Sequence, residues 1–159
     1  MIIYFLRHGD ASDSPSFQDS DRPLSEFGVR QASSVGHFLG NVDRGIKEIL
    51  TSPLVRAQQS AEAVQREIGP VPIHPTEHLT SSSDPRIIIR ELQRTDKGPV
   101  LLVGHEPHLS KTISLLISGD TNTVVEMRKA SLACVSTDDP LKEGGGILQW
   151  LLPSERTLK

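Results

Sequence analysis

Apolar residues fall in two rhythms along this 159-residue chain. Short unbroken runs mark buried strands, and steps of three and four mark amphipathic helices. The first run, Ile2-Ile3-Tyr4-Phe5-Leu6, predicts a buried strand that ends in Arg7-His8-Gly9. Lys47 to Thr51 predicts a short second strand, and Val71 to Ile73 a third. Pro99-Val100-Leu101-Leu102-Val103 is apolar throughout, as a strand covered on both faces must be. Ala130 to Thr137 and Gly146 to Leu152 predict two last strands across the polar turn Asp138 to Gly145, paired antiparallel at the end of the sheet.

Between the runs lie the helical steps. Leu24, Phe27, Ala32, Val35, Phe38 and Leu39 predict a helix capped by Ser25, stapled by Leu24 onto Val29 and stopped at Gly40-Asn41. Leu54, Ala57, Ala61, Val64 and Ile68 predict a second, opened by Ser52-Pro53 and closed by Gly69-Pro70. Asp84-Pro85 opens a third, with Ile88, Ile89 and Leu92 inward and Lys97-Gly98 at its end. Pro107 opens a fourth, with Leu109, Ile113, Leu116 and Ile117 before Gly119. Helices that cross between strands imply a mainly parallel sheet, so the fold class is α/β. Asp10 to Pro23 is a long polar loop, and His74 to Ser83 is polar without a period.

Composition narrows the functions. The length suits one domain spanning residues 1–159. Seventeen Lys and Arg against twenty Asp and Glu leave a net charge of −3, so neither nucleic acid nor an anionic membrane is an expected partner. Cys134 stands alone, which excludes an internal disulfide and fits a reducing, cytoplasmic setting. The five-residue apolar run that meets Arg7 is too short for a signal peptide, and no stretch reaches the ~20 apolar residues of a membrane helix.

Alone, Arg7-His8-Gly9 reads equally as a polar strand end. Other strand-to-helix junctions change that. The second carries Ser52 and Arg56, and the one after residue 103 carries His105. Ligands of open α/β sheets bind beyond the carboxyl ends of the strands. Neighbouring strands would therefore bring two histidines and two arginines to one cleft, with helix starts at Pro53 and Pro107 favouring an anion. Arginine binds phosphoryl oxygens through two parallel hydrogen bonds, and histidine can attack phosphorus. Gly-x4-Gly-Lys-Ser/Thr is absent, as is His-Glu-x-x-His, so neither a nucleotide cradle nor a metal or other cofactor is expected.

These residues resemble a known family. Arg7-His8-Gly9, Ser52-Pro53-Leu54-Val55-Arg56-Ala57 and Gly104-His105, in that order, resemble the histidine phosphatase superfamily, the phosphoglycerate mutase-like proteins. The small size, Arg7-His8-Gly9-Asp10-Ala11, Arg22-Pro23-Leu24-Ser25 and Gly104-His105-Glu106-Pro107 are similar to phosphohistidine phosphatases of the SixA type. The resemblance implies a three-layer α/β/α sandwich without a helical insertion over the site. It implies that His8 is a nucleophile that becomes phosphorylated, that Arg7, Arg56 and His105 complete the phosphate pocket, and that Arg22 reaches the phosphate from its loop. Such a His8 must be neutral, with its second ring nitrogen donating to a backbone carbonyl. The implied activity is metal-independent hydrolysis of phosphohistidine in a signalling or phosphotransfer protein. A phosphatase of small phosphomonoesters and a non-catalytic phosphoprotein-binding module are the alternatives.

One position departs from the family pattern. Many relatives carry a glutamate as general acid in the loop after the third strand, where this chain has Ser81. Glu77, Asp10 and Glu106 are the nearby carboxylates. Absence of a strong acid suits a labile P–N bond better than an ester, whose alkoxide leaving group needs a proton.

Overall fold

The computed structural model describes residues 1–95 and 98–158. Six strands form one sheet: β1 (Ile2–Arg7), β2 (Glu48–Thr51), β3 (Ile73–Pro75), β4 (Val100–Gly104), β5 (Leu132–Thr137) and β6 (Gly146–Leu152). The helices are α1 (Glu26–Val42), α2 (Val55–Ile68), α3 (Pro85–Leu92) and α4 (His108–Ser118). The strand order is β3-β2-β4-β1-β5-β6. β3, β2, β4 and β1 run parallel, while β5 and β6 pair antiparallel at the edge. This is the expected α/β class, a mainly parallel sheet with an antiparallel C-terminal pair.

Both sheet faces are covered. Val35, Leu39, Ala57, Ala61 and Val64 of α1 and α2 pack on Leu6, Leu101 and Val103. Ile88, Ile89, Leu92, Leu109, Ile113 and Leu116 of α3 and α4 pack on Phe5, Leu50 and Leu102. Three layers result. They explain why β4 is apolar at every position and wholly buried: each side chain, whichever way it alternates, meets a helix layer.

Element boundaries differ where polar contacts override the apolar period. α1 is turned so that Gly28 and Gln31 are buried, leaving Phe27 45 % exposed under the Arg30 guanidinium. It also runs through Gly40-Asn41 to Val42. Ser52 and Pro53 precede α2, whose first residue is Val55. β3 begins at Ile73, where it pairs with Ile49. α3 ends at Leu92, not at Lys97-Gly98, and Lys97 lies outside the described residues. α4 begins at His108, with Pro107 as its cap. β5 starts at Leu132 because Arg128 to Ser131 form a turn, closed by Ser131 N–H on Arg128 O at 2.9 Å.

β1, β4 and β2 are neighbours, so their carboxyl ends share one edge. Arg7 is in register with Gly104, and Thr51 with Val103. The helix after β1 lies on one face and the helix after β4 on the other, which opens a crevice at that edge.

Candidate active site

The crevice holds four of the predicted residues. His8 follows β1, its backbone N–H on Gly104 O at 3.1 Å. Its Nδ1 lies 2.7 Å from Gly9 O. A carbonyl only accepts, so Nδ1 carries the proton and Nε2 keeps the lone pair, an acceptor. Arg56 Nε–H faces that Nε2 at 3.4 Å. The neutral ring with a carbonyl-held Nδ1 is the arrangement expected of His8. Burial pushes the His8 pKa down to about 3; His105, Arg56 and Arg7 push the same way, and the Gly9 carbonyl opposes them.

Ser60 ties two elements of the site together. Its buried Oγ accepts from Gly9 N–H at 3.1 Å and donates to Arg56 O at 2.8 Å. The backbone that orients His8 is thereby joined to the helix that carries Arg56.

Arg56 is only 8 % exposed, unlike a solvated surface arginine. NH1 donates to Asp19 O at 2.7 Å, and NH2 to Asp19 Oδ2 at 3.3 Å. The end of its guanidinium grips Asp19 while its Nε side faces His8. Arg7 donates from NH1 to Met127 O at 3.0 Å, in the segment that precedes β5. Its buried Nε has no partner among the described residues.

His105 follows β4, its ring centroid 5.0 Å from that of His8. Nε2 is 2.7 Å from Ser52 Oγ, and the buried Nδ1 has no partner among the described residues. Burial lowers its pKa to about 4, with Arg56 adding and Asp19 opposing. Two neutral imidazoles and two guanidiniums thus converge, with one unpaired donor, Nε, on Arg7 and one unpaired ring nitrogen on His105. Such a set can surround an oxyanion and place a nucleophilic nitrogen against it. Among the described residues no group of three or more His, Cys, Asp or Glu could hold a metal ion.

The loop residues fall differently. Among the described residues, Arg22 has Ser12, Asp13 and Asp19 as its polar partners, not His8, Arg7 or His105. Its Nε donates to Ser12 O at 2.8 Å, and its NH1 pairs with Asp19 Oδ1 at 3.2 Å, so it meets the pocket through Asp19. Asp10 is held by Ser25 Oγ at 2.7 Å and Lys129 Nζ at 3.0 Å, which keep its pKa low. Ser25 Oγ in turn accepts from Gly28 N–H, so the cap of α1 rests on Asp10. A Cβ on Gly28 would collide with Asp10 O. Both Glu106 oxygens accept from Ser110, and burial raises its pKa against those bonds. Glu77 is exposed on the turn Glu77–Leu79. None of the three carboxylates considered from sequence is hydrogen-bonded to the pocket. Asp19, which sequence reasoning passed over, is. The available signal was its place three residues before Arg22 in a loop that the apolar rhythm leaves blank.

Known proteins are similar throughout. Residues 3–81 match the Histidine phosphatase superfamily (branch 1). An uncharacterized protein of Picosynechococcus sp. is 33 % identical over 139 residues, 83 % of this chain and 82 % of that protein. Phosphohistidine phosphatase SixA of Escherichia coli is 29 % identical over 155 residues, 94 % of this chain and 92 % of its own. A solved structure of the protein histidine phosphatase SixA complexed with tungstate superposes with a TM-score of 0.87 at 25 % identity, over 98 % of this chain and 99 % of that one.

Proposed function

Because the chain belongs to the histidine phosphatase superfamily, we propose that it is a phosphatase that hydrolyses phosphohistidine in a signalling or phosphotransfer protein. Residues 1–159 act as one such domain, on a protein substrate, in the cytoplasm. The observation that carries the reading is the His8 Nδ1–Gly9 O contact of 2.7 Å, which leaves Nε2 as a lone pair between Arg56 and His105.

The reaction takes two displacements at phosphorus. His8 Nε2 attacks in line, and the substrate's own nitrogen leaves. Arg7, Arg56 and His105 hold the equatorial oxygens, whose charge is spread in the transition state. Gly9 O keeps the proton on Nδ1, so the phosphorylated His8 forms with no proton lost. Water then displaces phosphate, and His8 returns neutral. Similarity to SixA, named a phosphohistidine phosphatase, supports this substrate class. So does the commitment of Asp10 and Glu106 to other partners, since an ester's alkoxide would need an acid.

Phosphohistidine protein and a panel of sugar phosphates, assayed side by side, test the substrate. Turnover of the phosphohistidine is expected; hydrolysis of the esters alone would replace this reading with a small-molecule phosphatase. His8→Ala is expected to abolish both turnover and a trappable phosphoenzyme. A phosphoprotein-binding module would keep its affinity for ligand and never form that adduct. Turnover is expected to survive EDTA, because the pocket's charge comes from arginine and the described residues offer no metal-ligand cluster.

A further inference from the structure

Arg56 presents two donor edges, as any planar guanidinium does. The NH1–NH2 end is occupied by the carbonyl and the carboxylate of Asp19, at 2.7 and 3.3 Å. The Nε side, 3.4 Å from His8 Nε2, is the edge left for a phosphoryl group. Asp19 is fixed from its other side too. Oδ1 pairs with Arg22 NH1 at 3.2 Å, and Arg22 is anchored by Ser12 O and by Asp13 at 3.6 Å. The carboxylate therefore stands on the rim between two arginines. Its side chain is still 68 % exposed, open to an arriving group. Burial would raise the Asp19 pKa, but Arg56 and Arg22 outweigh it and keep the group ionised.

Each carboxylate oxygen has acceptor capacity beyond its one arginine bond, so the exposed group can take a further donor, best a cationic one, from the substrate. A phosphohistidine ring protonated on the nitrogen that does not bear phosphorus supplies one. We propose that Asp19 selects phosphohistidine by accepting the N–H of that protonated ring. The proposal rests on the phosphohistidine reading of the site. The lone pair of His8 Nε2 forms the new P–N bond as the substrate's P–N bond breaks. The electron pair of the broken bond returns to the ring nitrogen, and neutral imidazole leaves. Its proton stays on the other nitrogen throughout, so the step needs no general acid. The two rings are treated alike: Gly9 O holds the N–H of His8, and Asp19 holds the N–H of the substrate. A phenolate or alkoxide leaving group has no such N–H and meets only the negative charge.

The test compares kcat/KM for a phosphohistidine peptide with kcat/KM for p-nitrophenyl phosphate, using the full chain. In Asp19→Asn the ratio of the two is expected to fall roughly ten- to hundredfold, the span of a charge-assisted hydrogen bond, with partial recovery in Asp19→Glu. Arg22→Gln, which frees the Oδ1 side of Asp19 while Arg56 still holds the other, is expected to move the ratio the same way and covers the case in which Asp19→Asn does not fold. An unchanged ratio, with both substrates falling together, would mean that Asp19 only braces Arg56 and would overturn the proposal. If the unaltered protein hydrolyses p-nitrophenyl phosphate but no phosphohistidine, the substrate reading itself fails. That failure shows in the parent protein, whereas failure of the Asp19 role shows only in the variants.

Discussion

Ser52 Oγ sits 2.7 Å from His105 Nε2, both residues buried. The same oxygen accepts from Leu54 N–H at 3.3 Å. That bond uses one of the hydroxyl's two lone pairs and leaves its O–H to donate to Nε2, a direction that puts the ring proton on Nδ1. Nδ1 is the buried atom without a partner, so a phosphoryl oxygen would find a ready N–H there.

Ser52→Ala tests this reading. The variant is expected to lose the Nδ1–H tautomer of His105, read from its 15N shifts, and to lower kcat about tenfold or more, with KM changed less. Ser52→Thr keeps the hydroxyl and is expected to restore both. An unchanged tautomer in Ser52→Ala would assign the proton to something other than Ser52.

Ser60→Ala strands the Gly9 N–H and removes the link to Arg56. Leaving one buried donor unpaired costs about 1–3 kcal/mol, which lowers Tm by roughly 2–10 °C for a protein of this size. Activity is expected to fall as well, since Gly9 O orients His8. Thermal melts and phosphoenzyme trapping on one sample would measure the two effects together.

Acid is expected to destabilise the fold through its buried histidines. His108 is 1 % exposed, with neither ring nitrogen partnered among the described residues. Burial lowers its pKa from 6.5 to about 4, opposed by Asp84. The unfolded chain binds this proton below pH 6.5 and the folded chain does not until about pH 4, so stability falls as pH drops through that window. His8 and His105 act in the same direction. His108→Leu is expected to recover roughly 2 kcal/mol of the loss at pH 5. Equal urea midpoint shifts between pH 7.5 and pH 5 in both proteins would show that His108 is not involved.

Gly28→Ala is expected to be severely destabilising despite the good helix propensity of alanine. The added methyl meets the backbone oxygen of Asp10, which no rotamer can relieve. Either the start of α1 or the chain after His8 must move. A protein with unchanged Tm and kcat would contradict the close approach.

Much of the molecule was legible in its sequence. The apolar runs and the three-and-four steps report burial, which is local and periodic. They placed β1, β4 and all four helices, and the junctions named His8, Arg7, Arg56 and His105. Polar partnerships carry no period. Arg7 bonds Met127, 120 positions away; Gly9 meets Ser60 at 51 and His105 meets Ser52 at 53. Those pairings set the imidazole tautomers and turn one edge of Arg56 toward His8. They also put Asp19, rather than Arg22, against the pocket. Phe27 lost its expected place for a related reason: α1 is oriented by the contact of Gly28 with Asp10, and a residue without a side chain leaves no mark in an apolar pattern. The chain alone therefore determined which strands and helices form and which side chains stand at their ends. Only the packed sheet decided which of those side chains share hydrogen bonds, because that depends on strand order and on distances between segments far apart in sequence.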